Sequence, residues 1–583
     1  MNENTGSKVS INFDQPASVW PVITKLRQNS SNSGLANILE GGLHAQNLNS
    51  SETIQKWKLF LISEEVTADN LRLLFSIVSN LSDLSFISKI FSEIQNLILS
   101  KIFDLNLINS IPSLLDAIKF SKASSKEYQR QLAIQLVAPM INLAYDRNFL
   151  ELALYLENRY YHDFIQRIET DRAFGEGMGL IKDSAESAGK RLSEKLQRQS
   201  TKLSHKTKVG FFVHSASMLA HINNIHQFLA ACQSTDEVDF EPIIFCLSGR
   251  NELFQKSFDE IDVEIIYLDS DSQSREISGV VNRLIQLKSL ISEHNVTHIV
   301  WVCLAVYMPF AFGLGLSTNQ IWWSQKWRLL TLKSIKKYIF SYGIIPEHQF
   351  NGVTWKNGYF QQEKWASDNS DEEIARIKNK FLGKVILGTL AREDKLTDAR
   401  YLAAVSKILR QNPNTVFLWT GRQKLDEITG FFRNRDVLDQ TQFIGWVDTN
   451  IYSAVFDILL DTFPIGNGLT AIQAMQNGTP VIFHQSNNEF STLDLIIGAI
   501  RSDSGLHVGL NKKLKDIFSP QRSSHKTLYI SAEDEIEYVD KANALINDET
   551  YRREAGDAYK TFVNELMCSP SQSARIFTNH LLN

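Results

Sequence analysis

Cysteine is scarce. Only four residues, Cys232, Cys246, Cys303 and Cys568, occur in 583, and they lie too far apart for any C-x-x-C pair. A disulfide framework is excluded, and a reducing, cytoplasmic location is expected. Excess charge of one sign is also missing: 60 Lys and Arg face 65 Asp and Glu, for a net charge of −5. No broad basic field exists to hold nucleic acid, which is not expected as a partner. Met1 to Pro21 lack the charged-then-apolar order of a secretory signal. Formal charge disappears between His298 and Lys326, and Ile299 to Leu316 is long enough to be tested as a membrane span. Pro309, Gly313, Gly315 and the polar Ser317-Thr318-Asn319 argue instead for a buried strand, a loop and a second strand, so no integral span is expected.

Glycine is absent from Leu43 to Phe174, and proline occurs there only at Pro112 and Pro139. Leu and Ile at spacings of three and four predict a helical domain over 41–205, without a defensible 34-residue repeat. Residues 1–40, rich in Asn, Ser and Gly, read as a flexible arm, and Lys182 to Lys208 as a solvated helix leading to a linker. Short β-rich runs then alternate with helical stretches, at Lys208–Val213, Pro242–Cys246, Val263–Leu268, His298–Val302 and Gln320–Trp323. After the polar segment Asp368–Lys378 they resume at Lys384–Thr389, Thr415–Trp419, Gln442–Gly445, Phe456–Leu460 and Pro480–Phe483. Such alternation predicts α/β structure with parallel sheets covered on both faces. The expectation is two Rossmann-like domains facing a cleft, 206–370 and 371–583, the second ending in C-terminal helices. An all-α domain precedes them, and ligands are expected beyond the carboxyl ends of the strands.

The densest signal is the run from Phe456 to Val481, where a buried strand enters a turn with Gly466 and Gly468 and a helix begins near Leu469. Amides at that helix start, with the Thr470 hydroxyl, make a pocket suited to a diphosphate. Arg392 and Lys395 follow the first strand of the same unit and would neutralise phosphate charge. Arg422 follows the next strand, and the Trp446-Val447 loop backbone could meet a nucleotide base. In the first unit three histidines, His214, His221 and His226, fall at and after the carboxyl end of the opening strand. They are candidates for a base near an acceptor, His221 first by its offset from the strand end, His226 second and His214 third. Trp301, Trp322, Trp323 and Trp327 cluster within 27 residues, and Gln320 to Trp327 could form a cleft loop or pack in the core. Asp269-Ser-Asp271 reads as a helix-cap turn rather than a metal-binding D-x-D, and no metal site is expected. His484, Glu489 and Asp494 match no metal spacing, although Glu489 could touch a donor sugar.

Residues 384 to 490 resemble the donor-binding half of GT-B glycosyltransferases. The Phe463-Pro-Ile-Gly-Asn467 turn resembles that of bacterial cytoplasmic protein N-glycosyltransferases and, less closely, of O-linked N-acetylglucosamine transferases, families with a helical domain before two Rossmann-like domains. The resemblance implies GT-B architecture and transfer of a sugar, with inversion, from a nucleotide-sugar donor to a protein or peptide acceptor. UDP-hexose and UDP-N-acetylhexosamine are the donors implied, with no cofactor and no essential metal. Lys395 would bind the UDP diphosphate, Asn467, Gly468, Leu469 and Thr470 would form the phosphate-binding turn and helix start, and Gln473 would stand at the ribose position, where the family carries an acidic residue. Ile465 stands where retaining families have glutamate. A saccharide or lipid-linked glycan acceptor, or a non-catalytic nucleotide-sugar-binding partner subunit, remain the alternatives, and a partner subunit or homo-oligomer is compatible with either.

Overall fold

The computed structural model describes residues 16–582 apart from 29–32, 80, 82, 105–114, 117–128, 132, 166–170, 197–206, 235–239, 269–278, 326–329, 342–346, 359–369, 486–507, 523–526 and 568–569. Asp269-Ser-Asp271, Trp327, Glu489 and Asp494 lie outside the described residues.

The apolar runs from Lys208 onward form an eight-stranded sheet: β1 (Lys208–Val213), β2 (Glu241–Cys246), β3 (Glu264–Tyr267), β4 (His298–Val302), β5 (Asn319–Ser324), β6 (Lys337–Phe340), β7 (Glu347–Phe350) and β8 (Val353–Asn357). Their order is β3-β2-β1-β4-β5-β6-β8-β7, and every pairing is parallel except β7 with β8. A second sheet contains β9 (Val385–Thr389), β10 (Thr415–Thr420), β11 (Thr441–Gly445), β12 (Ile458–Leu460), β13 (Val481–His484) and β14 (Ser531–Ala532), in the order β11-β10-β9-β12-β13-β14. Both orders are doubly wound: the chain runs outward one way from its first strand, then returns to place the fourth on the other side. The α/β architecture with two Rossmann-like sheets is therefore as expected. β6, β7, β8 and β14 add to the strands foreseen.

Side-chain alternation in the first sheet separates two cores. Phe212, Ile243, Ile299, Trp301 and Trp322 face one side and join the apolar residues of the N-terminal helices in one continuous core. Val209, Phe211, Ile244, Val300 and Trp323 face the other, which is closed by Phe228 of the helix Ala220–Gln233 and by Ala574, Phe577 and Leu581 of the C-terminal helix Pro570–Leu582. The helical domain, 41–205, and the first Rossmann-like unit, 206–370, share a core. The last helix, expected with the donor-side unit, packs on the first unit, and its Leu581 carbonyl accepts a hydrogen bond from Lys337 Nζ at 3.0 Å. Within the presumed arm 1–40, Pro16–Arg27 and the beginning of Ser33–Gln46 are helical, with Val19, Ile23, Ala36 and Leu39 buried together; apolar spacing outweighed the Asn/Ser-rich composition there. Trp322 and Trp323 are both fully buried, one on each face, so neither lies in a cleft loop.

Lys182 to Lys208 was expected to be a solvated helix leading to a linker, yet its first part belongs to the helix Asp171–Lys195, which crosses the short helix Met308–Gly313 backbone to backbone. A Cβ at Gly189 would sit 2.1 Å from the Phe310 carbonyl oxygen, and one at Gly313 would sit 2.1 Å from that of Glu186. This contact explains why the Ile299–Leu316 stretch is apolar: it is strand, turn and docked helix. Among the described residues no helix is long and apolar enough to cross a membrane.

Gly179, in the same helix, has nothing within 4 Å of its Cβ position. Gly179→Ala should therefore stabilise the chain by up to about 1 kcal/mol through helix propensity, whereas Gly189→Ala should destabilise it by about 1–3 kcal/mol through overpacking. Urea unfolding of both variants checks the opposite signs, and equal effects would show that the helix is not docked there.

Candidate active site

In the second sheet β9 pairs with β10 on one side and β12 on the other, so the turns leaving β9 and β12 flank the point where the winding reverses. The two turns are tied together. Lys395, half-buried in the short 3-10 turn Glu393–Lys395, donates to the Gly466 carbonyl at 2.5 Å. The Thr470 hydroxyl donates to the Leu390 carbonyl at 2.9 Å, and the Asn467 side-chain amide donates to the Thr389 hydroxyl at 3.1 Å. Asp461, buried at the end of β12, accepts the Asn467 backbone amide at 2.5 Å. Burial pushes its carboxyl up to about 6, although the Asn467 amide and the nearby Lys395 ammonium favour the ionised form. A Cβ at Gly466 would meet Asp461 Oδ2 at 2.8 Å, so any larger residue there would push on the carboxylate over which the turn closes. Gly468 has φ +66 and precedes the helix Leu469–Gln476, whose first amides lack intrahelical acceptors by geometry.

Lys395, Asn467, Gly468 and Thr470 are thus brought together, with Leu469 as the first residue of the helix. Gln473 is buried one turn further on and donates to Asn450 Oδ1 at 3.1 Å. One strand outward, Glu393 Oε2 accepts the Arg422 backbone amide at 2.9 Å, and the Arg422 guanidinium lies 5.5 Å from the centroid of the Trp446 ring. Trp446 is 66% exposed, a large apolar surface at a strand end. Val447 is tucked against the core, and Arg392 is exposed just before the Lys395 turn. His484, at the end of β13, stacks on Phe463 with centroids 4.1 Å apart.

The histidines of the first unit separate. His226 has Nε2 at 2.9 Å from the Ser257 carbonyl and its ring edge on Phe258, so it serves the packing of the helix Glu252–Asp259. His214 ends β1 inside a cage of Phe212, Trp301 and Tyr307, with ring centroids 5.3, 5.5 and 5.9 Å away. Its Nε2 is buried without a hydrogen-bond partner, and burial lowers the imidazole to about 3. It is neutral at physiological pH. His221 lies in the first turn of Ala220–Gln233, half-buried, and its carbonyl accepts Gln325 Nε2 at 3.1 Å. His221 and His162, the latter from the helical domain, are both close enough to His214 to oppose its protonation. Among the described residues no group of three or more His, Cys, Asp or Glu could hold a metal ion.

Compared by sequence, the chain matches no protein-family model and no curated protein. Among solved structures it is similar to an O-GlcNAc transferase mutant from Thermobaculum terrenum, 12% identical over 94% of this chain and 96% of that one, with a TM-score of 0.47. It is also similar to a glycosyltransferase from Rickettsia africae, 14% identical over 65% of this chain and 100% of that one, TM-score 0.45. A third likeness is to Anabaena HepE in complex with UDP and glucose, 10% identical over 64% of this chain and 98% of that one, TM-score 0.44. At these identities and TM-scores the likenesses assign this chain neither a ligand nor an activity.

Sequence reasoning passed over Asp461, Glu393, Tyr307 and His162. Asp461 was within reach, since a carboxylate placed directly after a buried strand and before a glycine turn must find a local donor. His162 gave no local signal, because it reaches the site from another domain.

The raised value at Asp461 has a sign that can be checked. Relative to an ordinary 3.8, a folded-state value of about 6 contributes stability below pH 4 that is lost as the pH rises through 6. Asp461→Asn keeps an oxygen for the Asn467 amide and removes the titration. Its unfolding midpoint should improve relative to the parent between pH 4 and pH 6 and then stay level, whereas a pH-independent offset would rule out ionisation of Asp461 in that range.

Proposed function

We propose that the chain is a GT-B glycosyltransferase that moves a sugar from a UDP-linked donor to a protein or peptide acceptor with inversion, without an essential metal. The observation that carries the reading is the convergence of the Lys395 ammonium, the Thr470 hydroxyl and the start of the helix Leu469–Gln476 on one rigid turn at the strand reversal. A nucleoside diphosphate leaving group needs such preorganised positive potential, supplied by a cation and helix amides without reorganisation during the reaction. The Lys395 ammonium, which lies near the Asp461 carboxylate, donates to the neutral Gly466 carbonyl, a weaker acceptor than a phosphate oxygen. Exposed Trp446, braced by Arg422, offers an apolar face one strand away for the nucleotide base. Gln473 can hydrogen-bond a ribose hydroxyl in place of a carboxylate, since an amide both donates and accepts.

On the acceptor side His221 is the proposed base. It is half-buried rather than sealed, whereas His214, lowered to about 3, offers a buried, unpartnered Nε2 as a hydrogen-bond acceptor but is a poor proton acceptor near neutral pH. The helical domain meets the strand ends beside His214, and that supports a polypeptide acceptor.

Isothermal titration with UDP tests the donor half: Lys395→Ala should weaken binding at least about tenfold, the scale of a charge-assisted phosphate contact. Failure of the parent to bind UDP or any nucleotide sugar would end the reading. With a donor and acceptor in hand, His221→Ala should lower kcat by about two orders of magnitude or more while leaving UDP affinity unchanged. Binding without turnover in the parent would identify a nucleotide-sugar sensor instead.

A further inference from the structure

Across the strand reversal of the first sheet, the turn after β4 stands where the turn after β12 stands in the second. It runs Cys303-Leu-Ala-Val-Tyr307, and its two ends are left-handed without being glycine, with φ +69 at Cys303 and +65 at Tyr307. Side chains disfavour that conformation, so bonds from outside must hold it. The Cys303 amide donates to the Trp323 carbonyl at 3.0 Å, the Trp301 indole N–H donates to the Leu304 carbonyl at 2.6 Å, and the Tyr307 amide donates to Glu157 Oε1 at 2.7 Å. The first two bonds come from the sheet. The third comes from the N-terminal domain, out of the helix Leu150–Arg159.

Glu157 is fully buried, and its other oxygen accepts the Tyr145 hydroxyl. Burial pushes its carboxyl up to about 7, against the pull of those two donors. A carboxyl group is kept in such a place only when its oxygens are bonded, and both are. Glu151 of the same helix accepts the Val281 amide at 3.1 Å, at the start of the helix Val280–Glu293, so two carboxylates fix the domain to the first unit. The turn that Glu157 holds places the Tyr307 ring against His214, whose Nε2 is buried without a partner.

We propose that Glu157 is a positioning residue: through it the helical domain sets the 303–307 turn and thereby the seat of the His214 imidazole. The consequence for transfer rests on the acceptor-side reading above, but the geometric claim stands apart from it.

The test uses the full chain labelled with 15N-histidine, with the His214 ring signals assigned by their loss in His214→Gln. Glu157→Ala should move those signals. Glu157→Gln keeps an oxygen for the Tyr307 amide and a second polar atom for Tyr145, and should restore them to the parental position. If Glu157→Ala does not fold, Glu157→Asp replaces it, because one methylene less withdraws the carboxylate from Tyr307. With acceptor and donor present, kcat should fall at least about tenfold in the Ala or Asp variant and recover to within about threefold in Gln, at unchanged UDP affinity. Unmoved His214 signals in the folded Ala or Asp variant would overturn the proposal. If the parent binds no UDP, the glycosyltransferase reading fails, and the His214 spectra still decide this one.

Discussion

Parallel strands must be joined by crossovers, and where successive crossovers pass to opposite faces, the loops leaving the two central strands are drawn apart. That divide falls between β1 and β4 in one sheet and between β9 and β12 in the other. Everything in the candidate site hangs on it. Lys395 bonds Gly466 and Thr470 bonds Leu390 across the second divide, and His214 packs against Tyr307 across the first.

At each divide a buried carboxylate does the same mechanical task. Asp461 accepts the amide of Asn467 and Glu157 accepts that of Tyr307, in each case a residue near the far end of the turn after the fourth strand. Burial pushes both carboxyl groups up, to about 6 and about 7. The difference lies in where they come from. Asp461 belongs to the strand it serves, so the donor-side turn is closed within its own unit. Glu157 belongs to the helical domain, so the first unit's turn is complete only when that domain is docked, and the interlocked glycines Gly189 and Gly313 hold the docking at backbone contact. The two divides also differ in charge. One presents an ammonium and helix amides, as a diphosphate requires; the other presents imidazoles, one of them kept neutral by its aromatic cage.

Much of the architecture was legible because period-two apolar runs separated by helical stretches have few other solutions. The strands around Gly210, Val300, Gly388 and Leu459 were foreseen close to their observed limits, and of the residues that converge, Asn467 to Gln473 lie on one short-range motif, which Lys395 joins from the turn after another strand of the same unit. Composition misled at Pro16–Arg27, where Asn and Ser nearby concealed an apolar helical face, and it left Trp322 and Trp323 open between a cleft loop and the core, where the structure places them on the two faces of one strand. The three histidines could not be ranked by offset. His226 and His221 are five residues apart, more than one helical turn, and this turns His226 toward Ser257.

The sequence by itself determined what each segment becomes and which unit carries the cationic turn, since period, strand-end glycine and a following lysine are local properties of the chain. Only the tertiary structure decided how the units share residues: that the last helix closes the first unit, that the helical domain and first sheet have one core, and that Glu157 and Tyr307, 150 residues apart, share a hydrogen bond. The reason is physical. A buried polar atom constrains the chemistry of its partner but leaves no mark on the partner's position in the sequence, so such pairings become visible only once the chain has folded around them.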